Sequence, residues 1–256
     1  MIVKLTSEIS AVVVFGTKLP FLPRWWLRGS SIKIGPYPLP SQYEKHIGST
    51  VGSMDWLSTE SDEIRFGSED LLLQSIHVHT HETNLPAEKS LSEWTNLQPV
   101  IGSLRLEKAT EFYVKPADFR WMGADGKMLA GIAAEALADN TEKLRLGIAV
   151  DFDLLFSNGL MCGWLLSNPG RYLVQGTEDV HTTEPEGKLN KLLYEYITLV
   201  SIPNIIQMEN EDPEPLRRLQ DLHIRIKDEL GTSEQSRVLQ AATEDIADQF
   251  YSTELQ

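Results

Sequence analysis

An α+β fold, with a β-rich, mainly antiparallel amino-terminal region followed by about three amphipathic carboxy-terminal helices, is predicted by three observations. Apolar runs of strand length, separated by turn residues, fill residues 1–176. After Gly176 the apolar period changes to about 3.6 residues. Strands come first and helices later, which argues against a doubly wound parallel sheet. The expected division is a sheet region over 1–176 and an acidic helical region over 177–256, packed on the sheet as one domain. With 256 residues, 41% of them hydrophobic, the chain is long enough to bury a core of that size.

In chain order, the run from Ile9 to Phe15 reads as the first strand. It ends too soon, and without a small-residue cleavage pattern, to be a secretory signal. Five prolines between Leu19 and Pro40 predict a long irregular loop, interrupted by a strand at Ser31 to Ile34. Further strands are expected over Glu63 to Phe66, Leu71 to His79, Val100 to Leu106, Glu111 to Lys115, Phe119 to Met122 and Leu144 to Phe156. Asp125 and Gly126 predict one hairpin turn, and Asn158 and Gly159, which tolerate the positive φ of a type I′ turn, predict another. The two hairpins share a [DN]-G-x-M pattern, and EIRFG at 63–67 echoes KLRLG at 143–147; both matches are short enough to arise from recurring strand patterns. The alanine-rich run Ile132 to Asn140 predicts a short helix.

In the second region, Thr183 and Glu186 form a capping box before the stripe Leu189, Leu192, Leu193, Tyr196, Ile197 and Val200, and Pro203 marks the stop. Asp212 followed by Pro213 starts a second helix that runs to Gly231. Ser233 caps a third, carrying Leu239, Ala242, Ile246 and Phe250 on one face.

The net charge of −14 is unevenly placed: residues 177–256 hold 17 acidic and 7 basic residues, against 20 and 16 in the remainder. An acidic balance repels phosphate backbones, so nucleic acid is not the expected partner. No apolar stretch approaches the roughly 20 residues that cross a bilayer, so no membrane partner is expected. The single Cys162 permits no internal disulfide, and a cytoplasmic location is the expectation. It reads as a small buried apolar residue, because no histidine or helix start lies close in sequence to activate the thiol.

Chemistry first suggests itself at IHVHTHE, Ile76 to Glu82, where His77, His79 and His81 alternate. On a straight strand their side chains form a row about 6.6 Å apart, whereas zinc ligand atoms converge to within about 3.5 Å. Two of the three could share an ion. The stretch resembles the H-x-H of amidohydrolases and of the polymerase and histidinol phosphatase family, a resemblance that implies a metal-dependent hydrolase with further histidines on later strands; here only His181 and His223 follow. Asp151 and Asp153 in GIAVDFDLLFS resemble the D-x-D of haloacid dehalogenase-type phosphatases, which implies a nucleophile and a proton carrier around magnesium. No Gly-rich phosphate loop accompanies either motif.

PRWWLRG places Trp25 and Trp26 between Arg24 and Arg28; on an extended chain one tryptophan anchors the loop and the other faces a partner or a second copy of the chain. Glu209, Glu211, Asp212, Glu214, Asp228, Glu229, Glu244, Asp245 and Asp248 supply an acidic helical surface that would steer a basic protein. The resulting expectation is a non-catalytic protein that binds a basic partner without any cofactor, as bacterial immunity proteins bind toxins, with a homodimer as a further assembly. Two alternatives stand beside it. One is a metal-dependent hydrolase using His77, His79 and His81 with Asp151 or Asp153; the other is a structural subunit of a larger assembly.

Overall fold

The computed structural model describes residues 1–36, 39–54, 61–138, 141–176, 180, 187–231 and 233–251. It is an α+β structure of two mixed, mainly antiparallel sheets and a carboxy-terminal helical layer. The first sheet takes its order from β1 (Ile2–Lys4), β2 (Ser10–Phe15), β8 (Val100–Leu106), β11 (Lys143–Ala149), β12 (Phe152–Ser157), β13 (Leu160–Ser167), β10 (Met128–Ile132) and β9 (Phe119–Met122). It also turns back on itself, because β1 pairs in parallel with the start of β13 through Lys4 and Leu160. The second sheet has the order β14 (Leu173–Val174), β3 (Arg24–Trp26), β4 (Ser31–Ile34), β7 (Leu73–His79), β6 (Glu63–Gly67) and β5 (Thr50–Gly52).

Local chemistry accounts for most of these elements. Asn158 (φ 49°) and Gly159 (φ 76°) turn β12 into β13, and Gly126 (φ 67°) sits in the turn between β9 and β10, as the dipeptides predict. The expected single strand from Leu144 to Phe156 is two: Asp151 adopts φ 56°, which a short polar side chain tolerates, and the chain folds back on itself there. Glu111 to Lys115 is not a strand, since Phe112 makes only an isolated bridge to Ser53. The alanine-rich run contributes one turn of 3₁₀ helix, Ala134–Leu137.

Two prolines read as breakers are helix starters. α1 (Pro40–Gly48) begins at Pro40, with the Gln42 side chain accepting from the Leu39 amide at 3.3 Å. Pro203 stands in the first turn of α4 (Ile202–Glu209), where its missing N–H costs no helical hydrogen bond. The helical layer therefore holds α3 (Gly187–Leu199), α4, α5 (Pro213–Leu230) and α6 (Glu234–Tyr251), one helix more than the periodicity shows. α2 (Ser92–Thr95) is a single turn before β8. The Asp212 side chain caps α5 by accepting from the Glu214 amide at 2.9 Å, and Ser233 caps α6 by accepting from Ser236 at 3.1 Å. The Thr183–Glu186 capping box lies outside the described residues.

One apolar cluster runs through Ile32, Ile64 and Ile76 of the second sheet, Leu146, Phe152 and Trp164 of the first, and Leu192, Leu222 and Leu239 of the helices. Each of these side chains contributes roughly 1.5–3 kcal/mol by leaving water. A smaller cluster, including Leu91, Trp94, Ala130, Leu155 and Leu165, gathers residues of β10, β12 and β13 with those of the segment before β8. No described helix is long and apolar enough to cross a membrane.

Candidate binding groove

β7 places Ile76 and Val78 in the core and turns His77 and His79 to the opposite face. Their ring centroids are 5.2 Å apart and the planes are tilted by 32°, closer than the spacing along an ideal strand. The neighbouring strands put Glu63 and Lys33 beside His77. Glu63 Oε2 lies 3.8 Å from His77 Nδ1, while Glu63 Oε1 accepts from the Tyr43 hydroxyl at 2.7 Å. Burial holds the His77 pKa below the ordinary imidazole value; the Glu63 carboxylate opposes this and the Lys33 ammonium adds to it. Asp62 Oδ1 accepts from the His79 amide at 2.8 Å and stands 3.1 Å from its Nδ1. His81 lies past the end of the strand. Among the described residues, no group of three histidine, cysteine or acidic side chains converges as metal ligands do.

The aspartates proposed to complete a metal site lie on the other sheet and have other occupations. Asp153 forms a buried ion pair with Arg145, Nε to Oδ2 2.6 Å. Asp151, at the turn, accepts from the Tyr172 hydroxyl at 2.7 Å, with Arg171 at 3.8 Å. His223 is buried in α5, its Nδ1 2.8 Å from the Thr243 hydroxyl, and His181 lies outside the described residues. Cys162 is buried and donates to the Leu155 carbonyl at 3.4 Å; burial pushes its thiol pKa up to about 12. The thiol is therefore protonated at neutral pH.

Trp25 is fully buried and anchors its strand, whereas Trp26 is half-buried beneath Lys33, whose Nζ sits 5.8 Å from the ring centroid. The indole of Trp26 lies over Gly29, where a Cβ would fall 2.0 Å from its Cε3, so only glycine leaves room for the ring. The nine acidic residues do not form one surface. Glu209, Glu211, Asp212 and Glu214 gather where α4 meets α5, while Asp228 and Glu229 stand at the far end of α5, about 24 Å away by helical rise. Glu214 pairs with Arg217 and Glu229 with Arg225. Glu244 lies 3.9 Å from His223. Asp245 pairs with Arg28, from the tight turn that carries β3 into β4.

That last contact marks a groove which the sequence does not show as one site. A hollow of about 300 Å³ lies between the β3–β4 turn and α6, with Leu27, Val200, Ala242 and Ile246 among its walls and Glu82, Asp245 and Asp248 as its carboxylates. Ser30 and Glu82 also line a neighbouring hollow of about 330 Å³ with His79, His81 and Ile202. The histidine stretch, the tryptophan–arginine segment and α6 thus meet along one groove. Glu82 is the link, its carbonyl accepting from the Ile202 amide at 3.0 Å at the start of α4. Its position at the end of IHVHTHE was the available signal; its proximity to α6 is long-range and left no local pattern. Burial pushes the Asp245 carboxyl up and Asp248 adds to this, while Arg28 opposes both.

No family model, curated protein or solved structure matches this chain.

Proposed function

We propose that the chain is a non-catalytic binding protein whose groove between the β3–β4 turn and α6 receives a basic segment of a protein partner. The observation that supports this reading is the pairing of Arg28 with Asp245 inside a hollow that combines carboxylates with apolar walls. An arginine or lysine side chain has the complementary form, an aliphatic stem ending in a cation. Beside the Arg28–Asp245 pair, Asp248 is a further carboxylate for an incoming cation, and so is Glu82, whose charge also acts on the buried Arg120. The acidic ends of α5 lie outside the groove and contribute long-range attraction, which raises association rates. Neutralisation of a basic toxin, in the manner of an immunity protein, is the biological role to which this reading extends.

A direct test titrates the protein with a synthetic arginine- and lysine-rich peptide and with its citrulline-substituted counterpart. Binding of the basic peptide should weaken with added salt, and the double variant Glu82→Gln, Asp248→Asn should reduce it about tenfold, roughly 1.4 kcal/mol. Asp228→Asn with Glu229→Gln, which removes the same charge elsewhere, should have a much smaller effect. Equal losses from the two pairs would show attraction to net charge alone and overturn the groove.

A further inference from the structure

A second concavity lies between the sheets, its wall residue Asp62 bonded to His79 of the groove, and it has a structural cause. β13 uses one edge for two partners in succession: β1 at Leu160 and β10 from Gly163 onward. Between them the chain passes a bulge, marked by the register shift opposite Leu155 and Phe156. Gly163 adopts φ 159°, and a Cβ there would fall 2.1 Å from the Gly131 carbonyl oxygen, so the fork is fixed by glycine. The diverging strands leave a cavity of about 490 Å³, within the range of about 300–1,000 Å³ typical of small-molecule sites.

Its walls are mainly apolar, with Leu5, Ile64, Val78, Val114, Leu154 and Met161 contributed by both sheets and by the segment that passes the opening. The Trp164 indole also lines it, and its buried Nε1 has no hydrogen-bond partner among the described residues. Four charged residues border the cavity: Asp62, Lys115, Asp118 and Glu135. Lys115 is spent on Asp118, with Nζ 2.5 Å from Oδ1, and Asp62 is engaged by His79. Asp118 Oδ2 also accepts from the Ala134 amide at 2.9 Å. The balance at the opening is acidic, so a cationic head is favoured over an anionic one.

We infer that this cavity binds a small amphipathic amine, with its apolar body between the sheets and its ammonium group against Glu135 at the rim. Glu135 stands at the rim and the apolar side chains behind it, so the site reads charge at the opening and size within.

Calorimetric titration of the full chain with n-octylamine, 1-octanol and octanoate tests this. Octylamine should bind saturably at one per chain, octanol more weakly, and octanoate at least about tenfold more weakly than the amine. Glu135 is exposed, so Glu135→Gln should leave the fold intact, weaken octylamine about threefold or more and leave octanol unchanged. Met161→Trp, which fills the cavity, should weaken both amine and alcohol, with circular dichroism checking the fold. Octanoate binding as tightly as octylamine, or no saturable binding by any of the three, would overturn the inference. So would amine binding insensitive to both substitutions, because it would locate the amine on the acidic surface instead.

Discussion

The guanidinium of Arg120, on β9, donates to the carbonyl of Val200 at 2.7 Å, just past the end of α3. The same Nη2 donates to Ile197 O at 2.8 Å, and Nε donates to Asn84 Oδ1 at 3.0 Å. A helix end leaves carbonyls without intrahelical partners, and its partial negative charge favours a cation. Arg120 therefore ties the first sheet to the helical layer. Its burial lowers its pKa to about 10, which still leaves it charged at neutral pH.

Arg120→Met should accordingly destabilise the protein by about 3 kcal/mol, because it strands the Val200 carbonyl away from water and leaves the Ile197 carbonyl only the 3.4 Å bond from Asn84 Nδ2. Arg120→Lys should recover little of that, since a single ammonium cannot reproduce the planar fork that reaches α3 and Asn84 together. Urea denaturation at pH 7 measures both; a loss below about 1 kcal/mol for Arg120→Met would mean that the sheet and helices are held without this tie.

Asp153 and Arg145 make another buried polar contact between neighbouring elements. Arg145 Nη1 also donates to the carbonyls of Thr95 at 3.3 Å and Leu97 at 3.2 Å, so the pair braces the turn that leads into β8. Asp153→Leu leaves a buried guanidinium without its carboxylate and should cost about 3–5 kcal/mol. The double variant Arg145→Met, Asp153→Leu should be more stable than Asp153→Leu alone, because neither charge is then stranded. Additive losses in that cycle would mean that the two side chains act independently.

The parts of the fold that were legible in the sequence are those fixed by local chemistry. Asp212, Pro213 and Gly231 delimit α5 because a cap, a pre-set φ and a stop each act within one turn of helix. Asn158 and Gly159 specify their hairpin for the same reason. The failures arise where one residue type has two physical uses. Pro40 and Pro203 could end a helix or begin one, and the choice depends on which hydrogen bond would be lost. Asp151 reads as a polar strand residue by its place in an apolar run, but its capacity for positive φ makes a turn. The candidate site was legible as pieces only. His79, Arg28 and Asp245 are each conspicuous, but their meeting depends on Glu82 and Ser30, which bring residues from distant parts of the chain to one groove.

Stability should fall as the pH drops below about 6.5, the value for an unfolded imidazole. His77, His46 and His223 all have folded pKa values held down, first by burial. Arg65 adds to this at His46, and Glu63 opposes it; at His223 Glu244 opposes and Lys227 adds. Groups with depressed imidazole pKa values bind more protons unfolded than folded, so protonation pulls the equilibrium toward the unfolded chain. Asp153 and Asp245 have raised values and act with the opposite sign, in the more acidic carboxylate range. The urea midpoint should therefore decline between pH 7.5 and 5.5, and His223→Asn should make that decline shallower. A flat profile over this interval would remove the burial argument for all three histidines.

Arg28 offers the sharpest test of the groove, because it occupies the position assigned to a partner's cation. Its side chain is 53% exposed and that of Asp245 30%, so the pair adds little stability and Arg28→Ala should change the unfolding free energy by no more than about 1 kcal/mol. The same substitution removes a competing cation and exposes a third carboxylate to the incoming segment. Affinity for the arginine- and lysine-rich peptide should rise about threefold or more, with a steeper dependence on salt. If Arg28→Ala weakens the peptide instead, Arg28 is part of the contact surface rather than a stand-in for the ligand, and the direction of approach to α6 must be revised.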